Sequence, residues 1–428
     1  LCVPQSQCST TDSTKYDIQV ANWLTKGGSI DPTPVALANG YDLGHSHLDF
    51  VNMCDAQGGS FPACQMDGAA SIPCKGTCPT DPQFKYVNNS TGILTPYLSM
   101  VTQYGWANLM FESNQGPSFP AHQFLFGATS APNANDDQIG TFAAENYPVN
   151  STGGCIAPQG TIVKLIDSSG NENQTTYPCF EHRTISDLLG STQRWRYYAT
   201  NVADMDVFFG DLWNAPLAIS HICVPNQGNT ACTGPLFQNN VDLNPADVLT
   251  DINSSTCALP NLIWVTPTGQ SSDHPQYNDG SGPQWVANIV NAIGESSCNY
   301  WTNTAIVALW DDWGGWYDHE GPSFLPPPYS AYQYGFRVPM IFISAYTPQG
   351  YIDKHRSDFG TIARFVEYNF GIAIGALGFT DNRGDLTQRL QGFYNLQMSP
   401  RPFVPIPTAR DAASFINDKS RPLPPDND

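Results

Sequence analysis

The sequence predicts an α/β protein in which helices cover both faces of a central sheet. Two short apolar runs, 305–310 and 336–344, are typical of buried strands, and 262–266 is a third. Residues 282–296 and 357–370 have the apolar spacing of amphipathic helices. The order strand, helix, strand, strand, helix predicts a parallel or mostly parallel sheet with helices on both sides.

The run 305–310 is rich in strand formers, and we expect a fully buried strand there. It ends in Asp311 and Asp312, and Gly314-Gly315 lets the chain turn directly afterwards. Ligands bind at the carboxyl ends of strands in open α/β sheets. Two adjacent carboxylates repel each other unless a cation or a proton lies between them. The alternative is a solvated loop in which Asp312 caps a turn, but the surrounding tryptophans favour a metal or acid/base site.

Ser118 lies just before a predicted helix that begins at Pro120, because proline is favoured in the first helical turn. One interpretation makes Ser118 an ordinary helix cap. In the other, its hydroxyl lies in the positive potential of the helix N-terminus, where free backbone N–H groups bind phosphate. Both interpretations remain open from the residues alone.

Four histidines are candidates for contact with a substrate. His45 and His47 lie two residues apart, so they point the same way on a strand or converge in a loop, although a surface pair is the alternative. His274 emerges just past the strand 262–266, and Pro275 keeps it extended. His221 lies in a loop-rich stretch, where a structural role is favoured over catalysis.

The composition indicates a globular, loop-rich protein of 428 residues with 36 glycines, 35 prolines and 13% charged residues. The net charge of −20 argues against binding to nucleic acid or to anionic membranes. We expect a single domain in which residues 1–80 are irregular and disulfide-tied, with one helix near 30–40. Residues 131–182 and 213–260 are predicted insertions near the site.

The twelve cysteines indicate disulfides and an oxidising compartment, extracellular or periplasmic. None of them shows zinc-ribbon spacing. The sequence starts at Leu1 without a signal peptide or a membrane-spanning run, so a mature or trimmed secreted form is expected. Five sequons would carry glycans in a eukaryotic secretory pathway: Asn88, Asn89, Asn150, Asn173 and Asn253. Oligomeric state and disulfide pairing stay open, although cysteines close in sequence are natural partners.

Several motifs occur in an order that resembles a known family. They are Gly-Pro-Ser-Phe-Pro (116–120), Ser-Asp-His-Pro (272–275), the helix segment 282–294, Trp-Asp-Asp-Trp-Gly-Gly-Trp-Tyr-Asp-His (310–319), Tyr-Gly-Phe-Arg-Val-Pro (334–339) and 358–370. Together, over about 41–405, they resemble the bacterial phosphoesterases that include non-haemolytic phospholipases C and acid phosphatase A. The resemblance implies an alkaline-phosphatase-like three-layer sandwich and a secreted enzyme that hydrolyses phosphate mono- or diesters.

The resemblance also implies roles for residues. Ser118 would be the nucleophile that forms a phosphoseryl intermediate, and Asp311 and Asp312 would bind a divalent metal together with the Ser118 hydroxyl. His274 and His45 would act at the phosphate. His221 is a further phosphate-side candidate, and His47 is predicted beside His45 as a substrate-binding residue. Mg²⁺, Ca²⁺, Mn²⁺ and Zn²⁺ all suit these ligands.

The sequence departs from the family at one motif. The first strand of the family ends in Glu-Asn-Arg-Ser/Thr, whose Glu and Asn complete the metal shell, and no such strand precedes Asp42. Glu145-Asn146 has the residue types of this motif, but it follows Ser118 and has no predicted strand before it. We expect either that the strand was removed upstream of Leu1 or that the motif was lost. If it was lost, the rival hypothesis is an extracellular binding or structural protein on a catalytically degenerate scaffold. A classical serine hydrolase is a third option, but Ser118 lacks a Gly-x-Ser-x-Gly context.

Overall fold

The computed structural model describes residues 23–55, 64–148, 152–190, 194–200, 209–322 and 334–420. The α-helices in these ranges are α1 (His47–Cys54), α2 (Thr95–Gln103), α3 (Ser118–Gly127), α4 (Ala134–Ile139), α5 (Ile185–Leu188), α6 (Pro235–Asn240), α7 (Asp247–Ile252), α8 (Gly282–Glu295), α9 (Phe359–Asn369) and α10 (Ala412–Ile416).

The strands in the same ranges are short. They are β1 (Trp23–Thr25), β2 (Gly28–Ile30), β3 (Thr33–Val35), β4 (Tyr41–Leu43), β5 (Cys74–Gly76), β6 (Lys85–Val87), β7 (Gly105–Ala107), β8 (Phe142–Ala143), β9 (Val163–Ile166), β10 (Gln174–Thr176), β11 (Trp195–Tyr198), β12 (Val241–Asp242), β13 (Leu262–Val265), β14 (Ala305–Leu309), β15 (Met340–Ser344) and β16 (Tyr351–Asp353).

A four-stranded sheet in the order β14-β15-β7-β16 forms the middle layer of the fold. Successive side chains of β15 point to opposite faces. Ile341 and Ile343 therefore pack with residues of α2 and α8, whereas Met340 and Phe342 pack with residues of α3 and α9. The predicted three layers are confirmed. The sheet is mixed, because β14-β15 and β15-β7 are antiparallel and β7-β16 is parallel.

A second sheet has the order β12-β11-β13 and is wholly parallel, so the strands predicted to form one mostly parallel central sheet are divided between a mixed sheet and a parallel one. Its edge strand β13 and the edge strand β14 of the first sheet both line a cavity of about 1500 Å³. Within the described ranges, β13 and β14 each pair with one strand only. β14 is accordingly only half-buried, and the expectation of a fully buried strand is wrong. The apolar side chains of β14 line this cavity, and the sequence periodicity does not distinguish a strand that lines a cavity from a fully buried one.

The predicted helix near 30–40 is also wrong. The chain there forms β2 and β3, and β3 pairs in parallel with β6. Pro32 and Pro34 explain this, since proline lacks the N–H that a helix interior needs and disfavours helical geometry in the residue before it. No described strand before β7 is followed by Glu-Asn, in agreement with the sequence.

Five disulfides link cysteines that are close in sequence: Cys54–Cys64, Cys74–Cys78, Cys155–Cys179, Cys223–Cys232 and Cys257–Cys298. The predicted disulfide framework is confirmed for these pairs, whereas Cys2 and Cys8 lie outside the described residues. Among the helices that the structure describes, none is long and apolar enough to cross a bilayer.

Stability is expected to fall as the pH rises from about 5 to about 8. Burial is the main cause that raises the pKa of Asp137 to about 6, of Asp273 and Glu367 to about 7, and of Glu145 to about 8. In this window the folded chain binds protons that the unfolded chain has released, so the free energy of unfolding decreases with pH. Melting temperatures in EDTA should be higher at pH 5 than at pH 8, and Glu367→Gln should reduce the difference. A melting temperature that rises with pH would contradict this.

Candidate active site

Helix α3 and the end of β14 bring Ser118 to the paired aspartates. α3 begins at Ser118 itself, two residues earlier than predicted, with the extended Pro117 before it. Ser118 is 1% exposed, and its hydroxyl donates a hydrogen bond to Asp312 Oδ2 at 3.0 Å. The candidate nucleophile and the acidic pair, which are almost 200 residues apart in sequence, therefore share one site.

His122 is a member of this site that the sequence analysis missed. It lies one helical turn after Ser118, and its Nε2 is 3.3 Å from Asp311 Oδ2. Burial raises the pKa of Asp311, but the His122 ring and the Ser118 hydroxyl outweigh it and hold that pKa at about 2. The spacing i, i+4 on a predicted helix was the available signal, since such residues share a helix face.

Glu112 was also missed. It follows Phe111, which bridges to Arg337, so it leaves the sheet at the same edge as the aspartates. Glu112 is fully buried, and its Oε1 has no hydrogen-bond partner among the described residues. Burial, followed by the charges of Asp312 and Asp311, raises its pKa well above the usual range. A carboxyl group directly after a strand end was the signal, as it was for the aspartates.

His45 lies beside the acidic pair, and His274 lies beside His45. His45 is buried, and its Nδ1 lies 2.8 Å from the Leu43 carbonyl, which can only accept, so Nδ1 carries the proton. Its Nε2 points to Asp312 Oδ2 at 4.0 Å. The His274 ring lies 6.1 Å from the His45 ring, and its Nδ1 likewise donates to the Pro275 carbonyl at 2.9 Å. In each ring the backbone carbonyl thus fixes a proton on Nδ1, so Nε2 is the nitrogen that can exchange a proton with a substrate.

The other two predicted histidines are engaged elsewhere. His47 is the first residue of α1, and its Nδ1 lies 2.7 Å from Glu172. The two ring nitrogens of His221 lie 2.9 Å from Glu181 and 3.2 Å from Asp187. The hydrogen bond to Asp187 is the main cause that raises the pKa of His221. Substrate binding by His47 and His221 stays a prediction.

The N-terminus of α3 offers fewer backbone donors than the sequence suggests. The N–H of Phe119 donates to the side-chain oxygen of Asn146 at 2.9 Å, and Pro120 has no N–H. Two of the first three helical residues therefore have no free backbone N–H to donate to an anion. Phosphate binding at this site depends more on side chains than on the helix terminus.

A divalent metal suits the chemistry of these residues. Within the described ranges, no three His, Cys, Asp or Glu side chains converge as a preformed metal site. The carboxylates of Asp311 and Asp312 and the Ser118 hydroxyl nevertheless meet, with the buried carboxyl of Glu112 behind them. Oxygen donors with excess negative charge fit a hard divalent cation.

Comparison with known proteins places this chain in a family. The pattern of the phosphoesterase family matches residues 84–373, which is more than half of the chain. The chain therefore belongs to the phosphoesterase family, as its motifs suggested.

Among its relatives is a non-hemolytic phospholipase C of Pseudomonas aeruginosa, 25% identical over 68% of this chain and 43% of that protein. A hemolytic phospholipase C of the same species is 22% identical over 78% of this chain and 47% of the relative. The chain spans less than half the length of these curated relatives. A solved structure from Vibrio parahaemolyticus, in the alkaline phosphatase superfamily, aligns with a TM-score of 0.33 at 12% identity, covering 65% of this chain and 61% of that one.

Proposed function

We propose that the protein is a secreted, metal-dependent phosphoesterase that hydrolyses phosphate mono- or diesters through a phosphoseryl intermediate at Ser118. The observation that carries the proposal is the 3.0 Å hydrogen bond from the Ser118 hydroxyl to Asp312, beside His45 and His274. A hydroxyl bonded to a carboxylate is poised to lose its proton as it attacks phosphorus.

The residues support a two-step reaction. Ser118 Oγ attacks phosphorus and passes its proton to Asp312, to which it is hydrogen-bonded, as the bond from phosphorus to the leaving oxygen breaks. A protonated His45 or His274 supplies the proton that the leaving oxygen needs and becomes neutral. In the second step water attacks the phosphoserine and gives a proton to that neutral histidine, while the serine oxygen leaves and takes back the proton held by Asp312. His122 offsets the negative charge of Asp311 throughout.

Asp311, Asp312 and Ser118 would hold the metal, which when bound neutralises charge on the phosphate oxygens and lowers the pKa of the serine hydroxyl. The buried carboxyl group of Glu112 lies behind them and is a further oxygen donor near the metal position. The ion can be Mg²⁺, Ca²⁺, Mn²⁺ or Zn²⁺, since oxygen ligands favour the first three and a nearby imidazole admits zinc.

The substrate class and location are supported by the relatives and by the disulfides. The curated relatives are named phospholipases C, which favours a phospholipid or another phosphodiester over a phosphate monoester. The five disulfides favour an oxidising compartment outside the cytosol.

The test measures hydrolysis of p-nitrophenyl phosphate and p-nitrophenyl phosphorylcholine after dialysis against EDTA and after addition of each metal. We expect turnover to vanish in EDTA and to return with at least one metal, with the diester cleaved faster. No turnover with any metal would favour the rival hypothesis of a degenerate binding or structural protein. The motivating observation is that no strand before β7 in the described part of the chain is followed by Glu-Asn.

A further inference from the structure

Residues 144–147 run directly between the two turns that carry the candidate catalytic side chains. The carbonyl of Ala144 lies against Gly116, since a Cβ at Gly116 would come within 2.1 Å of that oxygen. The same hypothetical Cβ would lie 3.6 Å from the backbone nitrogen of His47. The Ala144 N–H is tied to the Lys164 carbonyl at 3.0 Å. The segment is thus wedged between the turn before Ser118 and the turn after His45.

Asn146 holds the first of these turns. Its side-chain oxygen accepts the N–H of Phe119, the residue that follows the candidate nucleophile, at 2.9 Å. The next residue of the segment adds a second contact, because the Tyr147 ring meets the Phe119 ring edge-on at 4.8 Å and both side chains are buried. The backbone that aims the Ser118 hydroxyl is therefore fixed from outside its own helix.

Glu145 holds the second turn. Its Oε1 accepts the N–H of His47 at 3.1 Å, two residues after His45. Glu145 also lies in hydrogen-bonding contact with Glu172, whose other partners are His47 Nδ1 at 2.7 Å and Lys164 Nζ at 3.1 Å. Burial, with the neighbouring charge of Glu172, raises the pKa of Glu145 to about 8, so this pair holds one proton at neutral pH.

We propose that Glu145 and Asn146 are positioning residues that together set the separation of His45 and Ser118. Glu145 accepts the N–H of His47 in one turn, and the adjacent Asn146 accepts the N–H of Phe119 in the other. The same short segment therefore holds both turns in place. The inference rests on the proposed function for its catalytic consequence. Its structural consequence, protection of two backbone amides, is independent of any activity.

The experiment compares Asn146→Ala and Glu145→Ala with the conservative variants Asn146→Asp and Glu145→Gln in the full chain. We expect each alanine variant to lower kcat about 10- to 100-fold while KM changes less than about twofold, since a displacement near 1 Å costs this much. Glu145→Gln keeps an acceptor for His47 and a donor for Glu172, and should retain most of kcat. Asn133→Ala, which removes a helix cap at α4, is the matched control and should keep wild-type kcat.

Hydrogen exchange read by mass spectrometry separates the positioning role from the proposed activity. The peptide containing Phe119 should exchange at least tenfold faster in Asn146→Ala and regain protection in Asn146→Asp, and the peptide containing His47 should respond to Glu145→Ala. Unchanged protection of both peptides would overturn the inference, as would equal losses of kcat in Glu145→Ala and Glu145→Gln. If the wild type hydrolyses no phosphoester, the proposed function fails, and the exchange result alone decides the positioning role.

Discussion

Ser118→Ala is expected to lower the hydrolysis of every phosphoester substrate by at least about 10³-fold, because the variant has no hydroxyl to attack phosphorus. The expected loss is in kcat and in kcat/KM alike. Rapid quenching with a 32P-labelled phosphoester should trap label on the wild-type chain and none on the variant. The measurement therefore tests the nucleophile and the covalent intermediate together.

Ser420→Ala is the control for this substitution, since Ser420 is exposed near the end of the described chain and its hydrogen-bond partner is Asp418, two residues away. It should keep wild-type turnover. The melting temperature of Ser118→Ala should stay within a few degrees of the wild type, because one hydrogen bond contributes about 1 kcal/mol. Normal turnover in Ser118→Ala would remove the nucleophile assignment.

Asp312→Asn is expected to abolish the metal response and to lower kcat/KM about 10³-fold. The amide oxygen can still accept the N–H of Gly314, and the amide NH2 then faces Ser118 Oγ, which can accept instead of donating, so the side chain keeps its shape and both neighbours. It removes a negative charge beside Asp311 and Glu112. Without metal, the free energy of unfolding should therefore rise by about 1 kcal/mol, the size of about one unit in pKa.

A loss of activity together with a gain in the free energy of unfolding identifies Asp312 as a functional carboxylate. A carboxylate with a structural role would lower the free energy of unfolding when it is neutralised. Activity, thermal melts in EDTA and melts in millimolar Mg²⁺, Ca²⁺, Mn²⁺ or Zn²⁺ provide the readout. Asp385→Asn is the matched control, because Asp385 is exposed and bonds only to nearby residues of its own turn. An Asp312→Asn protein that keeps its metal-induced rise in melting temperature would contradict the role of Asp312 as a ligand.

Local patterns predicted the elements whose sequence periodicity is strong. Helices α8 and α9 and strands β13 and β14 lie within one or two residues of their predicted bounds, because their apolar spacing matches a helix or strand over its whole length. The region 30–40 was predicted wrongly as a helix, because its short strand β3 is defined by pairing with the distant strand β6. Such pairing leaves no local periodicity to read.

Sequence alone determined the candidate chemical groups of this protein: a serine at a helix start, an acidic pair after an apolar strand, a histidine past a strand end, and cysteines spaced for local disulfides. Those signals are local, since residue type and the nearest turn produce them. Only the tertiary structure decided which groups meet. It added His122 and Glu112, turned His47 and His221 toward other carboxylates, and placed Asn146 on the backbone next to the candidate nucleophile. These contacts join segments far apart in the chain, and the packing of the layers, which no single stretch encodes, brings them together.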